Sequence, residues 1–266
     1  MKTSLRPWAL LAFLLSALFT CASALGDDHK GDNKAGMAAA EPVLAEMWMV
    51  WPKTGESRAF EAKLKEFVAW RKKAGDPMTW TVWSAALGDD LDAYGIRSQA
   101  VDWADLDAAR DWGRQAKAGD KYQEMMAPLV HKVSRYIDEF DPELSHWKHE
   151  GDARYVGVSR VKVLPGKWGE VKASLQTFKK AADEQKWSES WAVMYNMGGS
   201  GGMLFVWPYD SYADMADPEV TGAALLEKAL GSKEKAEEVM KSYGSGVERV
   251  DYTIWAHRPE LSTPKD

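Results

Sequence analysis

Residues Trp80-Thr81-Val82-Trp83-Ser84-Ala85-Ala86-Leu87-Gly88 return 111 positions later as Trp191-Ala192-Val193-Met194-Tyr195-Asn196-Met197-Gly198-Gly199. Gly55 and Gly166, Leu64 and Leu175, and Phe67 and Phe178 keep the same spacing. Further on, Trp103-Ala104-Asp105-Leu106 answers Tyr212-Ala213-Asp214-Met215 at 109, and Pro142-Glu143-Leu144-Ser145 answers Pro259-Glu260-Leu261-Ser262 at 117. The order is kept, and the spacing drifts only where loops would fall. A chain patterned in this way is expected to fold as one unit written twice, over residues 43–147 and 154–262.

What precedes the repeats has another character. Lys2 and Arg6 stand before an apolar run from Trp8 to Thr20, and Ala22-Ser23-Ala24 supplies small residues at cleavage-site spacing. Residues 1–24 therefore read as a secretory signal peptide, its core too short for a membrane span, cleaved after Ala24. A lipoprotein signal ending at Cys21 is the rival, against which Phe19 and Thr20 replace the usual small residues. Cleavage removes the only cysteine, so no disulfide or thiol chemistry is expected in the mature chain. It also removes two positive charges and takes the formal net charge from −6 to −8. An acidic balance argues against nucleic acid and anionic membrane surfaces as partners. Residues 25–42, rich in Gly, Asp, Lys and Ala without periodicity, read as a disordered linker. The expected address is the periplasm or the exterior, and no later segment is apolar enough for a membrane span.

Each repeat shows the same succession of patterns. In the first, Met47 to Trp51 is a strand stopped by Pro52, and Phe60, Leu64, Phe67, Val68 and Arg71 form one stripe on a helix from Ser57 to Ala74. Trp80 to Leu87 and Ala93 to Val101 are strands joined at Gly88-Asp89-Asp90. A helical region starts near Asp105, pauses at Gly119-Asp120 and resumes from Tyr122 to Val133, with Pro128 expected to bend or break it. Arg135 to Phe140 is the fourth strand. The second repeat gives strands at Tyr155 to Val163, Trp191 to Met197, Met203 to Trp207 and Arg249 to His257. Its helices are expected around Trp168 to Ala182, Gly222 to Leu230 and Ser232 to Tyr243.

A β-α-β-β-α-β unit builds a four-stranded antiparallel sheet with its helices on one face. Period two then sorts the strand residues. Trp80 and Trp191, Val82 and Val193, Ile96 and Phe205, and Ile137 and Ile254 should face helices. The alternate set includes Thr81, Trp83, Arg97, Tyr136, Asp138 and Phe140 in the first repeat. In the second it includes Ala192, Met194, Asn196, Val206, Thr253, Trp255 and His257. Much of that set is apolar and should not lie in water. The expectation is an α+β fold in which two ferredoxin-like repeats pack sheet to sheet and shield each other, a monomer with an internal pseudo-dimer.

On that element order, duplication and aromatic second strand, the chain resembles the dimeric α/β-barrel (ferredoxin-like) superfamily over residues 43 to 262. The resemblance implies a small-molecule cavity between sheet and helices, or between the sheets. It also brings cofactor-free monooxygenases, haem-binding and haem-degrading enzymes, isomerases, cyclases and stress-related proteins into view. The candidate ligand-binding residues are Trp83, Arg97, Asp138, Met194, Asn196, Trp255 and His257. An Asn, a Trp and a His around one hollow resemble what cofactor-free and haem-degrading members use to orient substrate and oxygen. Haem-binding relatives, however, take their iron ligand from a helix, and His257 ends a strand. Arg97 and Asp138 are expected to partner each other if enclosed.

Other features read as structure. Three of the five histidines, His131, His146 and His149, lack a second ligand cluster, so no metal site is expected. Gly198 to Gly202 precedes no helix and is no phosphate cradle. The Lys- and Glu-rich run from Lys228 to Lys241 is a solvated face. Most of the 14 tryptophans belong to the core, with Trp48, Trp83 and Trp255 left as stacking candidates. The functional expectation is a binding protein for a small planar or apolar molecule, with no bound cofactor. The alternatives are a cofactor-free monooxygenase-like or haem-related enzyme, and a stress-related interaction protein without a ligand.

Overall fold

A computed structural model describes residues 43–100, 102–199 and 201–265. The segments read as signal peptide and linker, with Cys21 and His29, lie outside the described residues. In chain order the elements are β1 (Leu44–Pro52), α1 (Ser57–Lys73), β2 (Thr81–Leu87), β3 (Tyr94–Ala100), α2 (Trp103–Gln115), α3 (Ala118–Met125) and β4 (Val130–His146). Then come β5 (Tyr155–Val163), α4 (Trp168–Glu184), β6 (Trp191–Met197), β7 (Met203–Tyr209), α5 (Gly222–Leu230), α6 (Lys233–Ser245) and β8 (Val247–His257).

The eight strands form one closed antiparallel barrel in the order β1-β3-β2-β8-β5-β7-β6-β4, with β4 returning to β1. The described residues add six α-helices on its outside. This corrects the expected architecture of two ferredoxin-like units packed sheet to sheet. The sheets of the two halves join edge to edge, through β2 with β8 and β4 with β6. The physical reason is the edges. Two sheets stacked face to face would leave four rows of unpaired backbone groups, whereas closure removes all of them.

Two element boundaries also depart from expectation. The helical region after β3 breaks at Lys117, held in the left-handed conformation (φ 53°), and not at Gly119-Asp120, which lie inside α3. Helix does not continue to Val133. Pro128 falls in a 3-10 turn at Ala127–Leu129, and the chain is extended from Val130 onward. The resulting strand is 17 residues long because β4 serves two neighbours in turn, β1 and then β6.

The sorting of residues into two faces matches the fold. Trp80, Val82 and Ile96 lie with Phe60, Leu64 and Phe67 of α1 in one buried cluster. Trp191, Val193 and Phe205 lie with Val171, Leu175 and Phe178 of α4 in another. The alternate residues turn to the barrel interior, as the contact of Trp255 with the Gly95 backbone shows.

The halves also exchange short straps. Leu144, just before the end of β4, is buried in the core of the second half. Next to it the Ser145 hydroxyl accepts the Val193 N–H at 2.8 Å. Leu261, beyond β8, is buried in the core of the first half, and the Ser262 hydroxyl accepts the Val82 N–H at 2.8 Å. Trp80 adds two bonds to Thr263. The matched Pro-Glu-Leu-Ser segments thus play equivalent roles, each closing the half to which it does not belong.

Candidate functional site

The two halves differ in how their helices sit on the barrel. In the second half, α4, α5 and α6 all bury side chains against the strands. They leave a space of only about 20 Å³. In the first half, α1 buries Phe60, Leu64, Phe67 and Val68, but α2 buries none of its 13 residues. Beneath α2 and α3, against the outer face of β1, β3 and β4, lies a cavity of about 880 Å³. That is within the range of small-molecule sites.

Local sequence explains why α2 stands off. Leu106 and Ala109 are its only apolar contacts to the small cluster of Leu44, Met78 and Ala100. The helix is held by its ends instead. Asp102 accepts the N–H groups of Ala104 and Asp105, and the Asp105 carboxylate accepts the Asp102 N–H, a complete capping box. Near the other end, Trp112 Nε1 donates to the carbonyl of Ala74, just past α1, at 2.9 Å.

The cavity wall combines aromatic rings with polar groups. Trp48, Trp80, Trp112, Phe67 and Tyr122 supply rings; Arg71, Arg110 and Arg135 supply cations. The Arg71 guanidinium lies 3.9 Å over Trp80 and 4.8 Å over Trp112, and pairs with Asp76 at 2.5 Å. Burial lowers the Arg71 pKa and raises that of Asp76, while each charge opposes the shift in the other. At 2.5 Å the pair stays ionised, because arginine does not give up its proton in proteins. Arg135 donates from Nε to Glu46 at 2.5 Å and lies over Trp48. Three buried donors in this wall, Arg71 Nε, Trp80 Nε1 and the Tyr122 hydroxyl, have no hydrogen-bond partner among the described residues. Burial raises the Tyr122 pKa, so the phenol keeps its proton. Unmet buried donors are uncommon and mark a place where a ligand oxygen could enter.

Of the residues singled out from sequence, Trp48, a stacking candidate, lines this cavity, and none of the seven expected ligand-binding residues does. All seven belong to the barrel interior. Trp83 and His257 pack at 4.8 Å, and Trp255 lies beside Gly95. Asn196 donates from Nδ2 to Asp138 at 2.6 Å. Met194 is paired with Phe140 and Leu204 across the ladder. Arg97 and Asp138 make no ion pair with each other: Asp138 is taken by Asn196, and Arg97 acts on it only through space. A cavity between sheet and helices was one of the two places the resemblance implied, but apart from Trp48 its lining was missed, because helix-facing residues look like core. The available signal was the weak apolar stripe after β3, too sparse to cover the sheet it lies on.

The lining does not fit haem. A haem iron takes an imidazole, a thiolate, a thioether-imidazole pair or a phenolate. No histidine or cysteine lines the cavity, and its tyrosine is held protonated with no base beside it.

The sequence matches no protein-family profile and no curated protein. Solved structures do share the fold. A protein of Fusobacterium nucleatum proposed to be a monooxygenase aligns with a TM-score of 0.51 at 7% identity, covering 82% of this chain and 93% of that one. A chlorite dismutase variant from Candidatus Nitrospira defluvii aligns with a TM-score of 0.53 at 10% identity, over 82% and 92% of the two chains. At these identities the likeness is one of fold.

Proposed function

We propose that the chain takes a planar aromatic molecule bearing an acceptor oxygen into the cavity beneath α2 and acts on it in the manner of a cofactor-free monooxygenase. The observation that carries this is the wall itself: tilted and edge-on rings around an 880 Å³ space, with three unmet donors just behind its surface. Donors fixed in a water-poor site stabilise negative charge developing on a substrate oxygen. An aromatic or enolic anion of that kind is the form of substrate that reacts with oxygen without help from a cofactor. Arg71 and Tyr122 would hold that oxygen, the rings would orient the plane, and Arg110 and Arg135 would favour an acidic substituent. The fold likeness to the Fusobacterium protein supports the enzymatic side of the reading.

The test has two arms. Anthracene-9-carboxylate should quench tryptophan fluorescence saturably, and Gly113→Trp, which fills the space under α2, should abolish that quenching. With a hydroxylated polycyclic substrate, oxygen uptake without added cofactor should fall at least tenfold in Tyr122→Phe. Binding without oxygen uptake would leave the plain binding-protein reading; no binding would end both. The signal-like segment at residues 1–24 would place the activity outside the cytoplasm, which the mass of the mature chain checks.

A further inference from the structure

The barrel interior holds a polar group separate from the cavity just described. Asp138 on β4 is 2% exposed and accepts a hydrogen bond from Asn196 on β6. Asn196 is itself 5% exposed, and its Oδ1 has no partner among the described residues. Arg97 on β3 is enclosed by the barrel yet keeps accessible surface, so part of what surrounds it is open space. It makes no hydrogen bond or ion pair with the described residues. Arg160 on β5 reaches across to the Tyr136 ring on β4, 5.4 Å away, and acts electrostatically on Asp138.

The charges in this group do not cancel. Arg160 stands opposite Asp251 across the β5–β8 ladder, but that carboxylate already pairs with Arg249 at 2.6 Å, so two guanidinium groups are left with one carboxylate, in surroundings where an unpaired charge is costly. The surplus is positive, which calls for an anion. The unmet atoms beside it, one Asp138 oxygen and Asn196 Oδ1, are acceptors, which call for a donor. A fully deprotonated anion would satisfy the arginines and be repelled by Asp138. An anion carrying its own hydroxyl would satisfy both sets.

We propose that the barrel interior is a second binding site, for a small oxyanion that bears a hydroxyl or an acid proton, such as a short 2-hydroxy acid or hydrogenphosphate. Arg97 and Arg160 take the anionic oxygens, and Asp138 and Asn196 accept the O–H. The site is independent of the aromatic cavity, and either can fail without the other.

Calorimetric titration of the full chain with matched pairs tests this: glycolate against acetate, and hydrogenphosphate against sulfate, at equal ionic strength. Glycolate and hydrogenphosphate should bind saturably, each at least tenfold more tightly than its partner. Arg97→Met and, separately, Arg160→Met should abolish binding while the circular dichroism spectrum and the cooperative melting of the parent chain are kept, which shows that the variant is folded. Asp138→Asn should bring sulfate to within about threefold of hydrogenphosphate. The proposal falls if neither hydroxylated anion gives saturable heat, if acetate and sulfate bind as well as their partners, or if a folded Arg97→Met variant binds like the parent chain.

Discussion

At the scale of single residues, the informative groups are charges enclosed beside rings. Arg71 and Asp76 expose 15% and 3% of their side chains. Removing one partner leaves the other buried without a counter-charge, so Arg71→Met should destabilise by about 3–5 kcal/mol, read from chemical denaturation. A loss under about 1 kcal/mol would mean that the ring stack, and not the ion pair, holds the site. His257 gives a pH dependence. Burial holds its pKa below the ordinary value, opposed by Asp152 and Glu260 and reinforced by Lys265. The unfolded chain therefore takes up the proton first. Stability is complete above the ordinary histidine pKa of about 6.5 and falls as the pH drops through it toward the folded value. Melting temperature should decline as the pH is lowered through about 6.5. His257→Phe should flatten that part of the curve; an unchanged slope would assign it to other groups. Alternation alone placed His257, Trp83 and Asp138 on their shared face, because period two is a local property of a strand. It did not reveal that Asn196, not Arg97, would be the partner of Asp138. That choice depends on β4 lying next to β6, which no local pattern encodes.

Among the elements, α2 stands apart. With no buried side chain of its own, it rests on its capping box and the Trp112 anchor. Helices so supported open before those with packed faces. Backbone amides of α2 should exchange with solvent faster than those of α1 or α4 by at least tenfold. Asp102→Ala, which removes about 1 kcal/mol of capping, should speed α2 selectively. Equal acceleration across all helices would show that α2 opens only with the whole protein. Helix α1 was legible from sequence because Phe60, Leu64 and Phe67 repeat at helical spacing and do become core. The break at Lys117 was not, since a left-handed lysine carries none of the signals that glycine and proline give.

On the scale of the molecule, the sequence announced two similar halves but not how they would meet. Face patterns are written in side chains, whereas barrel closure is driven by backbone edges, which look alike in every sequence. The exchanged straps bind the halves further. Ser262→Ala should leave the Val82 N–H unmet and cost about 1–3 kcal/mol, and Leu261→Ala about 2–5 kcal/mol. Both should melt in a single transition with the rest of the protein; two separated transitions would show that the halves fold alone. The strap at Leu261 has a consequence for the order of events in the cell. The half made first is sealed by a residue that follows β8, so a ribosome must pass Leu261 before that half can reach its final form. Until then that portion keeps the open edge of β2 and an unfilled place among Phe60, Leu64 and Trp80. A nascent chain halted at residue 200 would be expected to stay protease-sensitive throughout, and one halted with Leu261 and Ser262 clear of the ribosome to be resistant.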